Sequence, residues 1–103
     1  MGIIEAIMAM ATILSVVTLL VITLGVVIEW FYKPEVAQLV EEDADAVGFT
    51  LQRELDAGNY EVVQGVFNRR TNKVDRATAR KMRGQVDGEL ANVHKGKPLA
   101  VYS

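Results

Sequence analysis

The hydrophobic and polar positions divide the chain into one uninterrupted apolar run and a longer amphipathic remainder. From Ala6 to Ile28 there are 23 residues without a charged side chain. A helix rises about 1.5 Å per residue, so this run would reach about 34 Å, enough to cross a hydrocarbon core of about 30 Å. A helix buried in a globule of 103 residues would be shorter and would show a polar face. The pattern therefore predicts one transmembrane helix within residues 1–33.

The residues that flank the run favour a membrane helix that is retained. No Lys or Arg precedes the run, whereas a cleaved secretory signal carries basic residues there and has an apolar core of only about 7–15 residues. After the run come aromatic side chains and a cation that suit the lipid–water boundary, and then Pro34, which favours a helix break. The predicted membrane-interface residues are Trp30, Phe31, Tyr32 and Lys33. The positive charge beside the span favours a cytoplasmic or interior C-terminal domain.

Small side chains recur on one side of the predicted span. Such a stripe lets two helices approach closely and form hydrogen bonds, whereas the opposite side carries larger residues that suit lipid. The stripe predicts contact with other membrane-protein subunits or with a second copy of the chain. The predicted helix-packing residues are Ala11, Ser15, Thr18 and Gly25.

Residues 34–103 predict a small extramembrane cap, so that the whole chain is assigned to the α+β class. Apolar residues at spacings of three, four and seven from Val36 to Leu55, ending at Gly58, predict a helix over 35–57. Tyr60–Phe67 is rich in strand-forming residues, and the turn-prone segment after it predicts a hairpin over about 60–81. Residues 74–83 also suit a helix, because Ala, Arg, Lys and Met favour one.

The C-terminal part of the cap is predicted from its capping residues. Asp87 is an N-cap residue type and Gly96 suits the position after a helix, which together predict a short helix over 87–95. Residues 98–102 could form a last strand. The predicted order of the cap is α-β-β-α-β.

Charge is distributed very unevenly along this cap. Residues 34–57 hold seven carboxylates and one arginine, whereas residues 68–83 hold seven bases and one carboxylate. The two blocks are expected to pair with each other, within or between subunits. The alternative is that the basic block binds nucleic acid or acidic lipid. The predicted basic patch consists of Arg69, Arg70, Lys73, Arg76, Arg80, Lys81 and Arg83.

The sequence carries no recognisable enzyme motif. It has one histidine, no cysteine and no glycine-rich phosphate loop. His94 near a helix C-terminus suits a dipole partner better than a base or a metal ligand. The acidic run from Glu41 to Asp45 lacks the glycine turn of a calcium loop. We therefore expect no catalytic, cofactor-binding or metal-binding residues, no cofactor and no small-molecule substrate.

Two functions are consistent with these features. The first is a single-pass membrane protein that acts as a structural or assembly subunit of a larger membrane complex or of a lipid-containing virion. Its partners would be membrane lipid and other subunits or itself. The second is a freestanding regulatory or phage-type lytic membrane protein of the holin-like or spanin-like kind. A spanin-like protein would need a coiled coil longer than the roughly 23 residues of heptad-like pattern present here.

Overall fold

The computed structural model of the protein describes residues 2–102. Within this range the chain forms, in order, α1 Ile3–Ala11, β1 Val16–Ile22, α2 Leu24–Phe31, α3 Pro34–Glu42, β2 Ala46–Asp56, β3 Asn59–Asn68, β4 Lys73–Val74, β5 Arg80–Val86, α4 Gly88–His94 and β6 Leu99–Tyr102. The strands build one mixed sheet with the order β1-β5-β3-β2-β6, and the short β4 pairs with β3 beside it. The fold is a small α+β domain, with β1 parallel to β5 and the other pairings antiparallel.

Helix α1 covers one face of the sheet. Side chains alternate between the two faces along a strand, and the odd-numbered positions of β2 and β3 present Phe49, Leu51 and Val63 to Ile7 of α1. Phe49 and Ile7 are fully buried. Fully burying side chains of this size stabilises the fold by about 1.5–3 kcal/mol each, so this contact fixes α1 on the sheet.

The other three helices cover the opposite face. Val62 and Met82, from the central strands, pack with Val27 of α2 and Leu90 of α4. Helix α3 adds a third cluster, in which Val36 packs with Trp30, Ala46 and Val66. The sheet is therefore buried on both faces over β3 and the first half of β2, which explains why these two segments are largely apolar.

The predicted transmembrane helix is wrong, because the apolar run is divided among three elements. Its residues end α1, form β1 and begin α2, and no helix within residues 2–102 is both long and apolar enough to cross a membrane. The prediction of a single-pass membrane protein, with its interfacial end and its cytoplasmic or interior domain, is corrected by this finding. The first 33 residues instead supply a helix, a sheet strand and a second helix to the same fold.

The division has a local physical reason. β-branched residues lose side-chain freedom in a helix and pack well on a pleated sheet, and β1 is the part of the run richest in Val, Thr and Ile. Three of the four Ser and Thr residues of the run, Thr12, Ser15 and Thr23, lie at the breaks between elements. Thr12 follows α1, and Thr23 caps α2 by accepting a hydrogen bond from the backbone N–H of Val26 at 3.0 Å.

The predicted helix over 35–57 is wrong in its second half. Pro34 starts α3 at its first turn, as expected, but the helix ends at Glu42 and residues 46–56 form β2. A spacing of four fits both a helix and a strand, so Val47 and Leu51 did not distinguish them. Phe49 between them completes a period of two, and all three side chains are buried towards α1. Gly58 lies in the turn between β2 and β3, with a φ of 80°, and does not end a helix.

The remaining elements follow the sequence more closely. Residues 60–67 lie within β3, but the second strand of the predicted hairpin is displaced: Lys73–Val74 forms a short strand and the longer β5 begins at Arg80. Asp87 caps α4 through its side chain, which accepts a hydrogen bond from Leu90 N at 2.8 Å. The order in 34–102 is thus α-β-β-β-β-α-β.

Candidate functional site

The surface that distinguishes this molecule is the edge strand β1. Within residues 2–102 its one strand neighbour is β5, so its other side presents unpaired backbone N–H and C=O groups. Leu20 is 91% exposed and Val17 is 51% exposed, and Val16 and Val21 are also exposed. The strand carries no charged side chain. We call these four residues, with the free backbone edge beside them, the β1 edge.

Natural sheets usually protect such an edge by keeping it short or by placing charges or proline on it, because an open edge pairs with other chains. The opposite edge strand, β6, follows this practice, since it has four residues and comes directly after Lys97 and Pro98. The β1 edge has seven residues and no charge or proline. The two edges of the sheet therefore differ in their capacity to accept another strand.

An irregularity shapes the β1 edge. The register between β1 and β5 shifts between Thr18 and Val21, and such bulges re-aim side chains. At this point the carbonyl oxygen of Leu19 lies directly over Gly84 of β5, in space that a Cβ atom would occupy. The bulge coincides with the position where Leu20 turns almost entirely to solvent.

The predicted helix-packing residues do not share a helix face. They lie in four places along the chain: Ala11 ends α1, Ser15 precedes β1, Thr18 lies within β1, and Gly25 is in the first turn of α2. Ala11 is buried, and its carbonyl accepts a hydrogen bond from Lys81 Nζ at 2.8 Å. The predicted stripe is therefore divided among separate elements and does not lie along one helix.

The four predicted membrane-interface residues lie in different environments. Trp30 is buried in the cluster around Val36, Phe31 is half-buried against Tyr102, and Tyr32 and Lys33 are exposed. Lys33 precedes α3 as its N-terminal capping position. The aromatic stretch thus joins α2 to α3, and part of it belongs to the core.

Trp30 also contacts a base from the predicted basic patch. The guanidinium carbon of Arg80 lies 5.3 Å from the indole ring centre. Arg80 donates hydrogen bonds to Gln64 Oε1 at 2.8 Å and to the Val26 carbonyl at 3.2 Å. Burial lowers the pKa of Arg80 from its ordinary value. This arginine holds α2 against the sheet.

The basic side chains are dispersed over the molecule. Arg69 and Arg70 follow β3, Lys73 lies in β4, and Arg76 lies in the loop before β5. In β5 the alternation of side chains directs Arg80 to the face covered by α2 and directs Lys81 and Arg83 to the face covered by α1. Seven bases that are close in sequence therefore belong to several surfaces.

One ion-pair group joins the acidic and basic blocks. Arg70 contacts Asp43 at 3.0 Å and Asp45 at 3.4 Å. The pKa of Asp43 is lowered by a hydrogen bond from the backbone N–H of Asp45, followed by hydrogen bonds from Asn68 and Arg70. Among the ion pairs within residues 2–102, these two join the blocks that the sequence set apart.

His94 belongs to a closed hydrogen-bond chain in the core. Its Nδ1 lies 3.0 Å from the Lys97 carbonyl, which can only accept, so Nδ1 carries the proton. Nε2 then accepts from the Thr50 hydroxyl at 2.8 Å, and Thr50 in turn accepts from the Tyr102 hydroxyl at 2.8 Å. His94 is 2% exposed and Thr50 is fully buried. Both ring nitrogens are occupied, which suits a structural role.

No metal-binding arrangement occurs in the region that the structure describes: residues 2–102 contain no group of three or more His, Asp or Glu side chains that could hold an ion.

Sequence reasoning overlooked the β1 edge because it assigned those residues to a membrane. The concentration of β-branched residues between Val16 and Ile22 was the signal that could have indicated a strand.

No protein-family model, curated protein or solved structure matches the chain significantly.

Proposed function

We propose that this protein is an assembly module that extends its sheet by pairing its β1 edge with the β1 edge of a second copy. The observation that supports this most directly is an uncharged edge strand of seven residues whose side chains are largely exposed. Addition of a strand to an open sheet edge is a common mode of protein recognition, in which backbone hydrogen bonds supply affinity. The role is that of a structural or assembly subunit.

Charge supports a second copy as the partner. Like charges directly opposite each other destabilise paired strands, and a strand that pairs with itself brings identical residues together around the symmetry axis. The β1 edge avoids this conflict because the chain carries no charge between Ala6 and Ile28. Antiparallel pairing of two β1 strands would make a continuous sheet across the dimer.

The free energy gained by burial and the cost of association are similar in size, so a single substitution in the β1 edge should strongly affect dimerisation. Burying one Val or Leu side chain completely stabilises a complex by about 1.5–3 kcal/mol. The side chains of the β1 edge are partly covered already, so two copies together gain on the order of 10 kcal/mol by this measure. Association costs about 4–15 kcal/mol in lost freedom. Because the two terms are of similar size, loss of one central contact shifts the equilibrium strongly.

Sedimentation velocity over a range of concentrations tests the proposal. The wild-type chain should form a dimer, and Leu20→Lys should shift it to monomer by placing a charge at the most exposed position of the β1 edge. Hydrogen exchange should show β1 amides that become more protected as the concentration rises. Leu20 makes few contacts within its own chain, so the variant should retain its fold.

Val101→Lys is the matched control, because Val101 is 51% exposed on the other edge strand, β6. This variant should dimerise like the wild type. A wild-type chain that stays monomeric at high concentration, or a Val101→Lys variant as impaired as Leu20→Lys, would contradict pairing through the β1 edge.

A further inference from the structure

A cleft lies between α1 and the sheet, on the face that α1 covers only in part. Its volume is about 340 Å³. Ile4 and Met8 of α1 and Leu51 and Val63 of the sheet form its apolar wall. We call this space the α1 cleft. At about 30 Å³ for each group of water size, it holds on the order of ten non-hydrogen atoms.

Four charged side chains also line the α1 cleft, and three of them are cations. Glu61 is only 9% exposed, and its two carboxylate oxygens are occupied by Arg53 Nη2 at 3.2 Å and Arg83 Nε at 3.0 Å. Lys81 is the third cation. The lining therefore carries more positive than negative charge even after Glu61 is counted.

Lys81 is the side chain that most requires an anion. It is 8% exposed, and its Nζ donates to the Ala11 carbonyl at 2.8 Å. It takes part in none of the ion pairs formed within residues 2–102. A buried ammonium is costly unless it is paired, and this group has three N–H donors with one neutral acceptor assigned. An anion that enters the α1 cleft would supply the missing charge.

The two arginines at the rim add directional donors. Each uses one nitrogen for Glu61, and their side chains are 60% and 48% exposed, so further N–H groups face solvent at the mouth. Guanidinium groups bind carboxylates through parallel hydrogen bonds. The cations thus favour an anionic head group, and the apolar wall favours the hydrocarbon part of the same ligand.

We propose that the α1 cleft binds an amphipathic carboxylate of about eight carbons, the carboxyl carbon included, which has about ten non-hydrogen atoms in all. The body lies against Ile4, Met8, Leu51 and Val63, and the head group pairs with Lys81 and with a rim arginine. This site is separate from the β1 edge. The result of a ligand-binding test therefore does not depend on whether the protein self-assembles through the β1 edge.

The test is a titration of the full chain with octanoate, followed by isothermal calorimetry and by ¹H–¹⁵N NMR. Octanoate should bind with a dissociation constant below about 1 mM, a value within reach of a ligand of this size. The amide signals of Met8, Val63 and Lys81 should shift. Acetate, which has the head group without the body, should not bind measurably. 1-Octanol, which has the body without the charge, should bind at least tenfold more weakly.

Two variants and a matched control locate the site. Lys81→Met should weaken octanoate binding at least tenfold, and Lys73→Met, which removes a lysine of β4 outside the α1 cleft, should leave it unchanged. Met8 is 48% exposed at the rim, so Met8→Trp should fill the α1 cleft and abolish binding without loss of the fold. If Lys81→Met fails to fold, the comparison of octanoate with octanol and the Met8→Trp variant test the proposal instead. Three results would overturn the proposal: equal binding of octanoate and octanol, no binding of octanoate at about 10 mM, or full binding of octanoate by the Met8→Trp variant.

Discussion

At the scale of single residues, His94 shows how burial turns a common side chain into a source of pH dependence. Burial is the main cause that lowers the pKa of His94 from its ordinary value of 6.5, and hydrogen bonds with the Lys97 and Pro98 backbone oppose it. The neutral ring fits the chain of hydrogen bonds from Tyr102 through Thr50, because Nε2 must accept. A proton on Nε2 would require the chain to reverse, so that Nε2 donates to the Thr50 hydroxyl and Thr50 donates to the Tyr102 hydroxyl.

The sign of the resulting stability change follows from linkage. The unfolded chain takes up a proton on its histidine near pH 6.5, whereas the folded chain takes it up only at lower pH. The unfolded state therefore binds more protons in that interval, and the free energy of unfolding falls as the pH drops from about 7 towards 5. Asp43, whose pKa is lowered from 3.8, adds its own loss of stability only at more acidic pH.

We expect urea unfolding of the wild type to show this decrease between pH 7 and pH 5. His94→Gln, which cannot titrate, should flatten the curve in the same interval, although its stability at pH 7 will be lower. The chain has one histidine, so its ring signal in NMR reports the pKa directly. A midpoint at or above 6.5 would show that the ring is not held neutral by the fold.

At the scale of elements, the attachment of β1 depends on the absence of a side chain in its neighbour. A Cβ atom at Gly84 would collide with the backbone carbonyl of Leu19, and a backbone atom cannot move aside as a flexible side chain can. The β1 strand must therefore leave its register if residue 84 gains even one methyl group.

Gly84→Ala should destabilise the chain by about 1–3 kcal/mol or more, since about 1–3 kcal/mol is the usual range for overpacking. It should also lower the hydrogen-exchange protection of β1 more than that of β2 and β3. Gly88→Ala is the control, because a Cβ at Gly88 meets no atom within 4 Å. That variant should be neutral or slightly stabilising, since alanine favours a helix. Equal effects of the two substitutions would argue against the observed pairing of β1 with β5.

At the scale of the whole molecule, the apolar run contributes to two cores on opposite faces of the sheet. Ile7 and Ile22 are both fully buried, the first against Phe49 and Phe67 and the second against Val62 and Leu90. Leu20 belongs to the same run but is 91% exposed. One continuous helix would not divide these three residues in this way.

Ile7→Ala and Ile22→Ala should each reduce the free energy of unfolding by about 2–5 kcal/mol, whereas Leu20→Ala should change it by less than about 0.5 kcal/mol. Urea titrations at low protein concentration, where the β1 edge is unpaired, make the comparison. Fluorescence of the buried Trp30 and far-ultraviolet circular dichroism should report the same transition for each variant. Similar losses at all three positions would contradict the assignment of the run to separate elements.

Local sequence determined the elements whose signals are short-range. Asp87 starts α4 as its N-cap, and α4 ends where Lys95 and Gly96 both take a positive φ, because caps act on the nearest backbone groups. Pro34 starts α3 because its fixed φ suits a first turn. The strand-forming residues from Tyr60 to Phe67 lie within β3. In each case the interactions responsible lie within a few residues of one another.

Tertiary structure was needed to decide how the apolar run is divided and how residues 46–56 fold, although the β-branched residues of β1 were a local signal for a strand. An uncharged segment satisfies a membrane and a two-sided protein core equally well, because both remove apolar surface from water. What divides the run is that a sheet elsewhere in the chain offers partners on both faces. The β1 edge and the α1 cleft also depend on strand order and on where α1 lies, and these follow from contacts between residues far apart in the sequence.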